Sequence, residues 1–286
     1  MESFVDRKLA TDEQESFKIR LITTEEEMQR FAIKPMAKEG WRPGLKDAEL
    51  FLACDPTAAF VGELNGKPIA TVRISKYGDS FAFIGAYLVD KAYRGKGYGL
   101  KIFNAAVSSV KPTSNIGLYA LLHLEKMYER SGFRSHFHAA RYDFHLPTTI
   151  ACFPEILEKI SVEVKAIEDV ELENIFRYDT HVFGFERSAF LSRLLRAEGT
   201  LGYVAVNNDG LTVAIAERLL KALFEKLSHE EKAVPLVCMD ASTKQGMDLG
   251  EELQGKKVFD LVYMVTKGLP NTCLEKQFGV TIVDLG

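Results

Sequence analysis

VDKAYRGKGYGLKIF, Val89 to Phe103, carries three glycines and four basic side chains in a run that leaves an apolar stretch and enters a helical one. One glycine suffices for a turn; three at alternate positions, Gly95, Gly97 and Gly99, imply that something approaches the backbone. The run before it, SFAFIGAYLV (80–89), is almost continuously apolar, as a strand buried on both faces is. The run after it, YGLKIFNAAVSSV, places Leu100, Phe103, Val107 and Val110 at helical spacing. A strand, a glycine loop and a helix in that order present free N–H groups at a helix N-terminus, which suits an anion such as phosphate. Arg94, Lys96 and Lys101 would add positive charge, and Gly97 and Gly99 would let a pyrophosphate lie on the main chain. A dinucleotide fold demands G-x-G-x-x-G with an acid about 20 residues on. Here the last spacing is wrong and NIGLYA offers no acid. The P-loop pattern G-x-x-x-x-G-K-[ST] is absent. A plain charged β–α turn is the competing reading of the loop taken alone.

Upstream, FKIRLI (17–22) reads as a first strand. TTEEEMQRFAIKPMAKEG reads as a helix with Thr24 as N-cap and Glu27 three residues on. KDAELFLACD is a second short helix, and Asn65-Gly66 marks a hairpin between apolar runs. Downstream, NIGLYALL is a strand, HLEKMYERSG a helix stopped by Gly132, and FHAARYDFHL a closing strand. The order β-α-α-β-β-β-α-β-α-β is complete near Leu146.

A second unit begins after PTTIACFP. SVEVKAI is a strand, DVELENIFRYDTHVF and ERSAFLSRLLRAE are helices, and GTLGYVAV is a strand ending at the turn NNDG. The β-α-α-β opening thus occurs twice, a duplication of architecture rather than of residues. A hairpin should return after NNDG, yet LTVAIAERLLKALFEKL turns helical almost at once. VPLVCMD, KQGMDLGEELQG and KVFDLVYMVTKG then restore strand, helix and strand. The second unit is expected to lack one or two strands and any glycine loop.

The 286 residues, 47% hydrophobic and 27% charged, suffice for one large domain or two modest ones. A net charge of −4 argues against nonspecific nucleic-acid binding, which needs a positive surface. The polar start, MESFVDRKLATDEQES, has no apolar core for a signal peptide, and no run approaches the roughly 20 apolar residues of a membrane span. Cys54, Cys152, Cys238 and Cys273 lie far apart and read as reduced thiols, so the expected compartment is cytoplasmic or nucleocytoplasmic.

VDKAYRGKGYG resembles the signature of the GNAT superfamily, the acyl-CoA-dependent N-acyltransferases. Arg94, Gly97 and Gly99 match its Arg/Gln-x-x-Gly-x-Gly/Ala pattern, and Val89 its apolar position five residues earlier. Tyr128-Glu-Arg-Ser-Gly132-Phe133 matches the family's late-helix tyrosine followed by Gly-Phe. Together these cover residues 17–145. RYDTHVFGFERSAFLSRLL, from Tyr178 to Leu195, resembles the opening of the C-terminal module of tandem GNAT proteins. The resemblance implies an α/β (α+β) fold, a mixed, mostly antiparallel central sheet flanked by helices. A GNAT acyl-CoA-binding domain would occupy residues 1–147, and a smaller, degenerate GNAT-like module residues 148–286.

By the same resemblance the cosubstrate is acetyl-CoA or another acyl-CoA, no metal is needed, and the acceptor is a small-molecule or protein amine. Leu88 and Val89 would contact pantetheine and thioester, a fixed N–H there serving as an oxyanion donor. Arg94, Gly95, Lys96, Gly97, Tyr98 and Gly99 would hold the pyrophosphate, and Tyr128 would protonate the departing sulfur. The family's strand carboxylate, six residues before the Val, is here Phe83; its pantetheine-binding Asn is here Leu121. A water relay or a base from elsewhere would have to serve, and His123 is one candidate. His136-x-His138 reads as a solvated strand face rather than a metal pair, and Asp179 and Arg187 as a pair fixing two helices. A non-catalytic CoA-binding or interaction protein is the alternative that Phe83 and Leu121 support. A third reading has the two modules completing each other's sheet, because missing strands leave an edge to cover.

Overall fold

The computed structural model describes residues 16–145, 163–198, 200, 202–206, 212–213, 236–277 and 284–285. The polar start up to residue 15, the expected boundary at 147/148 and positions 214–227 of the run expected to be helical lie outside the described residues.

Strand β1 (Phe17–Leu21) leads to a helical stretch: α1 (Glu25–Met28), a π turn (Gln29–Ile33) and α2 (Lys34–Lys38). The expected cap is present. Thr24 Oγ1 accepts the Glu27 N–H at 3.2 Å, and the Glu27 carboxylate accepts the Thr23 N–H at 3.1 Å. Helix α3 (Asp47–Cys54) comes next, then β2 (Ala59–Leu64), β3 (Lys67–Tyr77) and β4 (Phe81–Val89). Asn65 and Gly66 both take positive φ, 50° and 77°, as the two-residue hairpin requires. Helix α4 (Tyr98–Ser108), β5 (Asn115–Leu121), α5 (Glu125–Glu129) and β6 (Arg134–His145) complete the order read from the sequence. One helix position differs: Leu100 is 58% exposed, and α4 instead buries Tyr98, Ile102, Phe103 and Ala106.

The second half supplies β7 (Glu163–Ala166), α6 (Leu172–Phe183), α7 (Ser188–Arg196) and β8 (Tyr203–Val206). It continues with β9 (Thr212–Val213), β10 (Leu236–Ala241), α8 (Lys244–Glu252) and β11 (Lys256–Val265). The expectation that no hairpin returns after NNDG is corrected: β9 pairs antiparallel with β8, Val206 opposite Thr212. The helical spacing from Leu211 onward hides two residues of strand, too short for any periodicity to register.

Among the described residues the strands form two sheets, β7-β8-β9 and an eight-stranded sheet in the order β1-β2-β3-β4-β5-β11-β6-β10. The larger sheet is mostly antiparallel, with β4 and β5 the parallel pair. Of the second half's strands, β11 therefore lies inside the first half's sheet and β10 extends its edge beside β6. Strand β11 pairs antiparallel with β5 on one side and with β6 on the other. A buried ion pair ties the added edge: Arg141 on β6 grips both oxygens of Asp240 on β10, at 2.7 and 2.6 Å.

Strand β4 is open on one side and bent on the other at its C-terminal end. It pairs with β5 only from Phe81↔Asn115 to Ile84↔Leu118, so the strands part beyond that point. Opposite β3, Ala86 and Tyr87 face a single residue between Thr71 and Arg73, a β-bulge in which Ala86 takes φ 47°.

Candidate active site

Where β4 and β5 diverge, a groove of about 680 Å³ runs from the glycine loop to α5. Leu88, Val89, Arg94, Gly95, Gly97, Gly99 and Tyr128 all line it, so seven of the nine expected site residues meet on one surface. Lys96 and Tyr98 do not line it. The Tyr98 ring turns into the core, 4.9 Å from that of Phe17, because the helix begins at this residue and its side chain points back over β1. Lys96 holds its ammonium over the Tyr93 ring at 5.4 Å.

The glycines divide their tasks. Gly97 is the N-cap of α4 in the left-handed region, φ 85°, and no side chain caps the helix there. The first N–H groups of a helix have no intrahelical partner, so this end favours an anion. Gly99 lines the groove and also has a packing role that the sequence does not show. A Cβ there would stand 2.6 Å from the Tyr87 hydroxyl and 3.1 Å from Val89 Cγ2, so its absence lets α4 settle on β4. Arg94 ties the loop to the strand: Nε donates to the Val89 carbonyl at 2.8 Å and Nη2 to Glu39 at 2.9 Å.

A second cavity, of about 100 Å³, opens from the groove and shares Trp41, Tyr87, Leu121, Leu124 and Tyr128 with it. Its other walls are Ile84 to Ala86, Leu118 and Tyr119, Phe259 and Leu261 of β11, Arg141 and Asp284. Tyr128 stands where the two chambers meet. Burial raises the pKa of its phenol, and the neighbouring Tyr87 adds to that. The ring packs between Phe103 and Phe133, at centroid distances of 6.1 and 6.0 Å.

The acid missing from β4 is also missing in space, because Phe83 is wholly buried among Phe81, Tyr119 and Tyr263. A carboxylate does reach this strand, from a segment that sequence reading does not single out. Asp284 Oδ1 accepts the N–H of Ala86 at 2.7 Å, Leu285 is fully buried, and its carbonyl accepts the Tyr77 hydroxyl at 2.7 Å. A Cβ on Gly85 would fall 2.6 Å from the Asp284 Cα. One sequence signal points to such a contact: a glycine inside an otherwise apolar strand marks a close backbone approach. Burial raises the Asp284 pKa, while its hydrogen bond to Ala86 N–H and the Arg73 and Arg141 charges oppose that rise.

Asp47, at the start of α3, is a second buried carboxylate, its pKa raised by burial to about 6. It accepts the Gly44 N–H at 2.8 Å. A raised carboxyl pKa stabilises the fold most below the unfolded value near 3.8, and that contribution is lost as pH rises through about 6. Asp47→Asn keeps the acceptor without the ionisation. It should flatten the decline in unfolding free energy between pH 4 and 7, worth about 2–3 kcal/mol for a shift of this size. Urea melts across that range check this, and an unchanged slope contradicts it.

Other sequence candidates separate cleanly. Asp179 and Arg187 pair at 2.8 Å through both oxygens and join α6 to α7. His136 and His138 are exposed, and no cluster of three or more metal-ligating side chains occurs among the described residues. His123 is exposed at the rim of the groove. Cys54 and Cys273 are free thiols, and the Cys152 and Cys238 side chains lie outside the described residues. Among the described residues no helix is long and apolar enough to cross a membrane.

Comparison with known proteins adds an independent line. Residues 23–133 match the model of the acetyltransferase (GNAT) family. The chain is 29% identical over 181 residues to a holothin acyltransferase of Pseudoalteromonas sp. (strain SANK 73390), covering 63% of this chain and 58% of that protein. It is 25% identical over 191 residues to the uncharacterized N-acetyltransferase YitH of Bacillus subtilis (strain 168), covering 66% and 64%. Both matches thus span less than two thirds of the relative's length. A candidate acetyltransferase from Pyrococcus horikoshii superposes with a TM-score of 0.72 at 16% identity, over 100% of this chain and 99% of that one. A tandem GNAT protein from the clavulanic acid biosynthesis pathway gives 0.61 at 14% identity, over 87% and 98%. At such identities these two likenesses speak to the fold alone.

Proposed function

We propose that this chain, whose residues 23–133 match the GNAT acetyltransferase family model, transfers an acetyl or other short acyl group from acyl-CoA to an amine. The observation that carries this reading is the meeting of two chambers at Tyr128. The groove has the features a CoA requires: an uncapped helix N-terminus at Gly97 for the pyrophosphate, and beside it a strand edge released from its neighbour for the pantetheine amides. The cavity beyond Tyr128 would take the amine. Residues 1–147 would then form the acyl-CoA-binding domain, and residues 148–286 the degenerate module that walls the acceptor side through Phe259 and Leu261.

Bound acyl-CoA supplies the activated carbonyl and a thiolate leaving group. The protein's part is to align the two reactants, which is worth several kcal/mol without any covalent enzyme intermediate. A fixed backbone N–H at Leu88 or Val89 would face the carbonyl oxygen as it gains charge. Tyr128 keeps its proton at any working pH, because burial holds the phenol above its usual value. Complete transfer to a thiolate, whose thiol titrates near 8.5 in water, is therefore uphill from the resting site. Its contribution lies in an O–H donated to the sulfur as the C–S bond breaks.

Saturating acetyl-CoA should raise the melting temperature of the wild type and of Tyr128→Phe alike, by the equivalent of about 2.7 kcal/mol at 100 Kd. Gly97→Val, placing a branched side chain at φ 85°, should abolish the shift. Tyr128→Phe should lose turnover on the order of 100-fold. A wild type that acetyl-CoA fails to stabilise refutes the cosubstrate, and full turnover by Tyr128→Phe refutes the tyrosine's role. A protein that binds acetyl-CoA and acylates no amine would fit the non-catalytic alternative.

A further inference from the structure

We propose that Asp284 is the proton acceptor of this site and the anchor for the cationic end of its amine substrate, replacing the strand carboxylate that Phe83 displaces. The inference rests on the acyltransferase reading and concerns the half of the chemistry which that reading leaves without a residue.

Asp284 stands on the strand face from which an acid is missing. Phe83 and Gly85 project to the same face of β4, since side chains alternate along a strand. The family's acid would leave that face at residue 83. The chain here presents a buried phenylalanine at 83 and no side chain at 85, and the main chain of Asp284 occupies the space a Gly85 Cβ would need. A carboxylate therefore arrives at the same strand face, two positions further along, from a segment distant in sequence.

The carboxylate is also fixed in place. Ala86 N–H donates to Oδ1 at 2.7 Å, and Leu285 anchors the residue from the far side through full burial and the Tyr77 hydroxyl. One carboxylate oxygen is thereby used to hold the bulge, and the carboxyl group still lines the cavity beside Tyr128 and Tyr87. The fixed oxygen sets the direction of the free one. The nearby charges are Arg73, Arg141 and Asp240. Asp47 on α3 also lies close enough to interact with Asp284. Arg141 already holds both oxygens of Asp240, and Arg73 donates to Ser75 and to the Phe51 carbonyl at 2.8 Å. Arg141 is thus engaged with Asp240, whereas Arg73 pairs with no carboxylate among the described residues and its charge acts on Asp284 without a hydrogen bond to it, which leaves one carboxylate oxygen for an incoming cation.

Size and polarity define the acceptor. The cavity is about 100 Å³, and its walls apart from Asp284 and Arg141 are apolar or aromatic: Trp41, Leu118, Phe259, Leu261. An apolar cavity of about 150 Å³ accommodates benzene. This cavity is smaller, so it suits the ammonium end of a primary amine on a short apolar body, and its dimensions exclude a folded polypeptide surface.

The amine enters as an ammonium and gives one proton to Asp284, which later releases it to water. The neutral nitrogen forms the C–N bond as the C–S bond breaks. The second proton leaves nitrogen to water once the C–N bond has formed, and a proton from water ends on the sulfur of free CoA, which Tyr128 holds by its donated O–H, so no oxidant or reductant is involved.

The test uses the full chain, acetyl-CoA, and propylamine, butylamine and isobutylamine as probes, with thiol release as the readout. Wild type should acetylate at least one of them, with an acid limb in the pH profile of kcat/KM. Asp284→Asn retains an oxygen for Ala86 N–H, so it should keep the fold and the acetyl-CoA-induced rise in melting temperature. It should lose kcat by on the order of 100-fold and lose the acid limb, with KM for acetyl-CoA unchanged. Asp284→Ala, which removes the bulge contact as well, should add a fall in melting temperature. Wild-type kcat and pH dependence in Asp284→Asn would overturn the proton-acceptor role while leaving the acyltransferase reading intact. Turnover of none of the three amines by a wild type that acetyl-CoA stabilises would overturn the proposed acceptor class. Absence of any acetyl-CoA stabilisation in wild type would instead mark failure of the underlying functional reading.

Discussion

Gly85→Ala, the addition of one methyl group, should cost about 3–4 kcal/mol of stability. The added Cβ would meet the main chain of Asp284, with its Cα 2.6 Å away, and backbone atoms cannot rotate aside as a side chain can. Either β4 shifts or residues 284–285 leave their seat. Leaving it exposes Leu285, whose full burial contributes roughly 2–3 kcal/mol, and breaks the Tyr77–Leu285 hydrogen bond, worth about 1 kcal/mol. It also strips Ala86 of the carboxylate that satisfies its N–H at a positive φ. For a chain of this length the melting temperature should fall by roughly 5–7 °C. If Asp284 acts as inferred, acyl transfer falls with it. Differential scanning calorimetry decides the point, and an unchanged melting temperature would show that the segment is not seated on the strand.

The second large effect concerns the ion pair that holds β10 to β6. Arg141 and Asp240 have side chains 10% and 13% exposed, and the contact is bidentate. Arg141 also donates to the Trp41 carbonyl at 2.7 Å, so one guanidinium binds the loop before α3, a strand of the first half and a strand of the second. Truncating one partner leaves a buried charge without compensation, which costs about 3–5 kcal/mol. Arg141→Ala and Asp240→Ala should each destabilise by that much. Replacing both by leucine should recover most of the loss, because the cost arises from the orphaned charge rather than from the missing attraction. A double-mutant cycle in urea measures this, and additive single effects would mean that the pair is not a unit.

Both predictions concern contacts between the two halves of the chain, where local sequence signals are weakest. The glycine loop is legible because its chemistry is local. A helix N-terminus, a left-handed Gly97 and the basic residues beside it arise from fifteen consecutive positions, and the structure gathers most of them on the groove. The strands and helices of the first half are legible for the same reason, since periodicities of 2 and 3.6 act over a few residues. Local reading fails where the decisive partner is distant. It misses the Tyr87 hydroxyl, which leaves no room for a Cβ at Gly99. It counts Tyr98 with the binding loop, whereas that ring packs on Phe17, eighty-one residues earlier in the sequence. The hairpin after NNDG is too short to carry a period.

By itself, then, the sequence determined that a strand, a glycine-rich loop and a helix follow one another, that Tyr128 lies beyond them at the spacing the family resemblance implies, and that β4 carries no acid of its own. Tertiary structure alone decided that β11 enters the sheet between β5 and β6, and that Asp284 reaches the bulge at Ala86. The physical reason is that strand pairing and buried hydrogen bonds are satisfied by whatever backbone lies alongside. Sequence separation enters only as a logarithmic entropy of closure, and leaves no mark on the residues that eventually meet.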